Sequence, residues 1–190
     1  LNVHKTDKPK ILIVNDDPAS LFALASLLAR WSEDNGCEVL TARSGEEALR
    51  QVLQHDFAVI LLDVNMPGMD GFETAEAIHS RPRSAAIPII FITPYLADEM
   101  HRLKGYEKGA VDYLFTPVIP QMLQAKVGVF VAMARKTLEL QSHAEALRNR
   151  THELSAVTKR LELEKREREA AVMQNKAKHE FLAMPGHELP

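Results

Sequence analysis

Cysteine is nearly missing from this chain of 190 residues: Cys37 stands alone. That excludes an intrachain disulfide and fits a reducing compartment. Long apolar runs are missing too, and none approaches the ~20 residues needed to span a bilayer. The polar stretch 1–10 has no apolar core of a signal peptide. No membrane contact is expected from this segment, and a cytoplasmic location is. Basic clusters are also lacking. The formal net charge is −3, with 11 Lys/Arg against 17 Asp/Glu in residues 1–118 and 12 against 9 in residues 119–190. Because the basic residues of the second part alternate with acids, no nucleic-acid binding is expected. Finally, residues 129–184 contain neither Gly nor Pro.

What is present is ordinary for a globular chain, at 46% hydrophobic and 26% charged residues. Short apolar runs at 11–14, 38–41, 57–62, 87–92 and 111–115 read as strands. Helical patterns lie between them at 18–31, 45–54, 72–80 and 98–108. Strands alternating with helices of 10–15 residues indicate βαβ units around a parallel sheet. The expected fold is α/β, a (βα)5 doubly wound, flavodoxin-like sheet followed by a long α-helix. Pro18 suits a first helical turn, and Ser44 with Glu47 suits a capping box.

The long helix should find a partner or stand as a solvated rod. Met133, Leu140, Leu147, Leu154 and Leu161 recur every seven residues, each preceded by three positions by Phe130, Thr137, Ala144, Thr151 or Thr158. Leucine at one core position with small or β-branched residues at the other describes a two-stranded coiled coil, hence a homodimer. A single solvated helix is the alternative. Beyond Leu161 the stripe fades into charged residues.

The most informative stretch is Ile60-Leu61-Leu62-Asp63-Val64-Asn65-Met66-Pro67-Gly68-Met69-Asp70-Gly71. An apolar strand ends at a carboxylate, and loops at the carboxyl ends of parallel strands are where open α/β sheets place their chemistry. The first strand ends in Asn15-Asp16-Asp17 and the fourth in Thr93, so the parallel arrangement gathers them at one mouth. Clustered carboxylates repel unless a cation lies between them, and hard oxygen ligands with open water positions suit Mg²⁺. Asp63 could then attack a phosphoryl group, with Thr93 donating a hydrogen bond to a phosphoryl oxygen. Asp17, directly before Pro18, also reads as a helix cap.

These elements, with Ile90-Phe91-Ile92-Thr93 and Gly109-Ala110-Val111-Asp112-Tyr113-Leu114-Phe115-Thr116-Pro117, resemble the receiver domain of two-component response regulators. The resemblance covers roughly Lys10 to Lys126, and a receiver domain is expected at 10–128 after a tail at 1–9. It implies Asp63 as phosphoacceptor and Asp16 as a direct Mg²⁺ ligand, with Asn65 contributing its backbone carbonyl. It further implies Thr93 as the hydroxyl that follows the phosphoryl group and Tyr113 as a switch aromatic. Asp17 is a further candidate metal contact. The implied phosphodonor is a histidine kinase or a phosphotransfer protein. Three positions depart from the family pattern. Asn15 stands at the first acidic position and Pro94 replaces a small residue. Thr116 occupies the place of the phosphoryl-binding lysine, where an ammonium would pair with phosphoryl oxygens and a threonine offers only a neutral hydrogen bond. Phosphoryl transfer is expected to survive these changes more readily than full switching.

After a helical linker at 129–176, residues 177–190 resemble the start of the phosphoacceptor helix of sensor histidine kinases. His187 stands at the histidine position, behind a helix-breaking Pro185. The chain contains no ATP-binding kinase domain, and the parent protein is expected to be a hybrid histidine kinase. Two other readings are a pseudo-receiver that serves as a dimerisation scaffold, and a receiver coupled to another output such as a cyclase.

Overall fold

The computed structural model describes residues 8–94 and 110–182. Five strands are present: β1 (Lys10–Val14), β2 (Glu38–Ala42), β3 (Val59–Asp63), β4 (Ile89–Pro94) and β5 (Ala110–Thr116). Four helices are described: α1 (Pro18–Asp34), α2 (Gly45–Gln54), α3 (Gly71–His79) and α4 (Pro120–Leu182). All strand pairs are parallel, in the order β2-β1-β3-β4-β5. This is the doubly wound sheet expected from the alternation of elements. The helix anticipated at 98–108 lies outside the described residues.

Period-two alternation sends side chains of each strand to opposite faces, and both faces are covered. On one face Leu12, Val14, Ile60, Leu62, Ile89, Phe91 and Tyr113 pack with Ala48 and Val52 of α2 and Ala75 and Ile78 of α3. On the other, Ile11, Ile13, Val59, Leu61, Ile90, Ile92 and Leu114 pack with α1 and with Leu123, Val127 and Val131 of α4. Continuous apolar strands are what such double coverage requires. The Gln124 amide donates to the Leu27 carbonyl at 3.2 Å, joining α4 to α1, and Lys126 pairs with Asp112 of β5.

β3 departs from its expected limits in a way that matters for the site. Phe57 and Ala58 precede the strand, and the ladder runs on through Asp63, which stands opposite Ile92. The Val64 N–H donates to the Ile92 carbonyl at 3.1 Å. Asp63 is thus held by the sheet rather than by the loop alone.

Compactness divides the chain into two units, Leu1–Leu138 and Glu139–Pro190. The described part of the second is helical throughout and solvent-exposed. Leu140, Leu147, Leu154 and Leu161, one heptad apart, are between 59% and 68% exposed in the single chain. The hydroxyls of Thr137, Thr151 and Thr158 donate to the carbonyls of Met133, Leu147 and Leu154, four residues back. Their polar atoms are therefore satisfied within the helix, which frees the methyl groups for packing. Among the described residues no helix is long and apolar enough to cross a membrane.

Candidate functional site

The site lies where β1 and β3 are adjacent and the chain leaves them toward opposite sides of the sheet. In the order β2-β1-β3-β4-β5 this is the topological switch point, the crevice in which open α/β sheets bind ligands. Asp63 is the last residue of β3 and is half-buried. Its Oδ1 accepts the Asn65 N–H at 3.2 Å. Its Oδ2 accepts the Asn15 Nδ2–H at 3.1 Å. Burial pushes the Asp63 carboxyl above its ordinary value, the Asn65 N–H pulls it partly back, and the nearby Asp16 charge raises it again. Asp16 and Asp63 are thus close enough to repel.

That shift has a consequence for stability. A carboxyl whose folded pKa lies above its unfolded value assists folding below the unfolded value, and that contribution is lost as pH rises through the folded one. Asp63→Asn carries no charge at any pH. In EDTA at pH 7 it is expected to melt above the wild type, and the gap should close as pH falls toward the ordinary value of 3.8. Thermal melts across that range check this. A gap that stays constant would show that charge is not its origin.

The loop after Asp63 is fixed from below and from behind. Met66 is buried in the core, while Gly68 turns the chain at φ 78°. Asp70 caps α3 in a full capping box: the Glu73 N–H donates to Asp70 Oδ1 at 2.8 Å, and the Asp70 N–H to Glu73 Oε2 at 3.0 Å. Gly71 then passes so close to the strand end that a Cβ would lie 2.2 Å from the Asp63 carbonyl oxygen and 2.8 Å from Val64 Cα. No side chain fits there without moving backbone. Gly71→Ala is expected to cost about 1–3 kcal/mol of stability and to disturb Asp63 directly, as urea denaturation and backbone amide shifts at 63–65 would show. Neither Gly71 nor the capping box was recognised as part of the site in the sequence, although Asp70-Gly71 marks a helix start.

The remaining expected residues fall as follows. Asp17 is the N-cap of α1, its Oδ2 accepting the Ser20 N–H at 2.9 Å and the Ser20 hydroxyl at 2.7 Å. Those bonds hold its carboxyl below the ordinary value. The helix-cap reading of Asp17 is what these bonds describe, with its Oδ2 engaged at the start of α1. Thr93 is buried, one residue past the Ile92 that pairs with Asp63. Tyr113 is buried on the α2/α3 face with its ring 5.7 Å from Phe91, whose own ring lies 4.9 Å from Phe72 at the start of α3. Thr116 ends β5 opposite Pro94 and is exposed; the Thr116–Pro117 bond is cis. His187 lies outside the described residues.

Among the described residues no group of three or more His, Cys, Asp or Glu side chains forms a metal cluster. Two carboxylates, from Asp16 and Asp63, and the Asn65 carbonyl still supply hard oxygen donors. Their mutual repulsion is the electrostatic feature a divalent cation would relieve, with waters as its remaining ligands. The residues present fit Mg²⁺.

Comparison with known proteins agrees with this geometry. The family model described as "Response regulator receiver domain" matches residues 11–128. The "Probable cyclic di-GMP phosphodiesterase" of Vibrio cholerae is 38% identical over 117 residues, which cover 62% of this chain and 25% of that protein. Sensor protein GacS of Pseudomonas syringae is 34% identical over 143 residues, covering 73% of this chain and 15% of GacS. The crystal structure of Vibrio cholerae chemotaxis protein CheY4 matches with a TM-score of 0.58 and 32% identity, over 65% of this chain and 98% of CheY4. The chain therefore spans a quarter or less of those two curated relatives, and nearly the whole of CheY4. The matched span runs from β1 into α4 and includes the whole sheet except Lys10, together with its mouth. Over it, the chain belongs to the response regulator receiver domain family.

Proposed function

We propose that this chain is the phosphoacceptor module of a two-component phosphorelay. In this reading Asp63 takes a phosphoryl group from a phosphohistidine of a histidine kinase or phosphotransfer protein. The observation that carries it is the setting of Asp63: a half-buried carboxylate fixed by the sheet at the switch point, repelled by Asp16. One Asp63 oxygen attacks phosphorus, the O–P bond of an acyl phosphate forms, and the P–N bond to imidazole breaks. The leaving nitrogen keeps the bonding pair and picks up a proton from solvent. Asp16, Asp63 and the Asn65 carbonyl would hold Mg²⁺, which when bound would neutralise charge on the phosphoryl oxygens. Thr93 offers a hydroxyl to a phosphoryl oxygen, and Tyr113 on β5 acts as the switch aromatic, a role its burial against Phe91 supports.

The output runs through α4, which begins in the first compact unit and continues into the second. A homodimer built on the Leu140–Leu161 seam passes the change to a histidine kinase core. GacS, named a sensor protein, supports such an output, while the phosphodiesterase name supports a cyclic-nucleotide output as the second reading.

Thr116 favours one rival. An exposed neutral side chain where a cation would meet the phosphoryl group suits a pseudo-receiver that only dimerises. Incubation with Mg²⁺ and acetyl phosphate, followed by intact-mass measurement, separates the two. The phosphoacceptor reading expects an adduct of about 80 Da that maps to Asp63 and fails to form in EDTA. No adduct under saturating donor and Mg²⁺ would favour the scaffold.

A further inference from the structure

Asn15, the residue after β1, has no part in the chemistry described so far, yet it is the only side chain that donates to Asp63 among the hydrogen bonds described. It is buried, 6% exposed, and its backbone N–H is tied to the Ala42 carbonyl at 3.1 Å. Its Oδ1 accepts the Asp17 N–H at 2.9 Å. That bond decides which way the amide faces. The oxygen must point to the N–H of Asp17, so the NH2 group is the end turned to Asp63 Oδ2, 3.1 Å away. The opposite orientation would set an oxygen against a carboxylate and lose both bonds. With Asn65 N–H on Oδ1, both Asp63 oxygens are held by neutral donors.

Oδ2 is the oxygen that meets Asn15, and Asp16 is the next residue in the chain. A cation shared between Asp16 and Asp63 would come to a carboxylate whose Oδ2 already carries the amide hydrogens. The positive end of an amide dipole and a divalent cation repel each other, so the two compete for one oxygen.

We propose that Asn15 is a positioning residue that holds Asp63 in a cation-free resting state, and that Mg²⁺ gains Asp63 only by displacing the Asn15 amide. Asn15 then keeps the Mg²⁺ affinity of this chain below what its oxygen ligands alone would give. The inference rests on the Mg²⁺ site of the phosphoacceptor reading but not on phosphoryl transfer itself.

The test is calorimetric titration of MgCl2 into the full chain, its Asn15→Ala and its Asn15→Asp variants, with thermal melts to establish that each is folded. Removing the competing donor should tighten Mg²⁺ binding in Asn15→Ala by about threefold to tenfold, the scale of one hydrogen bond to a charged group. Adding a carboxylate in Asn15→Asp should tighten it further, by more than about tenfold over wild type. In the wild type, the side-chain amide resonances of Asn15 should move in step with Mg²⁺ saturation. A residue that merely braces the site would give the opposite sign, because Asn15→Ala would loosen Asp63 and weaken the metal. Equal or weaker binding in folded Asn15→Ala, or Asn15 resonances indifferent to Mg²⁺, overturns the proposal. Should the affinity order hold while no variant accepts a phosphoryl group, the phosphoacceptor reading fails and the role of Asn15 stands.

Discussion

Asp63→Asn is expected to abolish the Mg²⁺-dependent phosphoryl adduct while leaving the fold intact. The loss should be complete, because an amide oxygen has neither the charge nor the nucleophilicity of a carboxylate. Substitute acceptors nearby are poor. Asp17 is turned to α1 by two bonds from Ser20, and Asp16 would lose its partner carboxylate for the metal. The fold should survive because the Asn side-chain oxygen can still accept the Asn65 N–H, which in the wild type lies 3.2 Å from Asp63 Oδ1. Relief of the repulsion with Asp16 acts in the same direction. Intact mass with peptide mapping checks the adduct, and a melting curve checks the fold. An adduct of the same size that persists in a folded Asp63→Asn protein would move the acceptor elsewhere and undo the assignment.

The second large effect concerns assembly. Replacing Leu147 and Leu154 together with Glu is expected to turn a dimer into a monomer. Each leucine is well exposed in the single chain, and burying such a side chain against a partner contributes about 1.5–3 kcal/mol. Two per helix, lost from both helices, should weaken association by about a thousandfold or more, with charge repulsion across the seam adding to that. The helix itself should persist, since Glu is a strong helix former. Sedimentation equilibrium over a range of concentrations gives the answer, with circular dichroism as a control on helicity. A wild-type chain that stays monomeric at high concentration would end the coiled-coil reading.

Much of this molecule was legible in its sequence, for identifiable reasons. The run through Leu62 reads as a doubly covered strand, because a short apolar stretch without period, followed by a Pro/Gly-rich loop, suits a strand buried on both faces. The four-carbon leucines repeated every seven residues announced one face of a long helix. Cap residues were partly legible. Ser44 does accept the Glu47 N–H, at 3.2 Å, but Glu47 returns its bond to the Arg43 N–H at 2.8 Å rather than to Ser44 itself. Which backbone donor a side chain reaches depends on the turn leading into the helix, and composition does not encode that angle.

Asn15 and Gly71 show the limit more sharply. In sequence Asn15 is a missing acid, 48 residues away from the carboxylate it touches. Its amide becomes a hydrogen-bond donor to Asp63 only because β1 and β3 are neighbours in register, Val14 beside Leu62. Gly71 reads as a turn residue, and its need for a bare Cα comes from α3 starting directly against the Asp63 carbonyl.

By itself the sequence determined the parallel sheet, the carboxylate at its mouth, the family and the long helix, since each follows from local periodicity or from motif spacing along the chain. Tertiary structure alone decided which side chains share the site. It placed an amide on Asp63 and left Thr116 exposed at the end of β5. The physical reason is that contacts between strand ends depend on sheet order and register, and no stretch of sequence holds either.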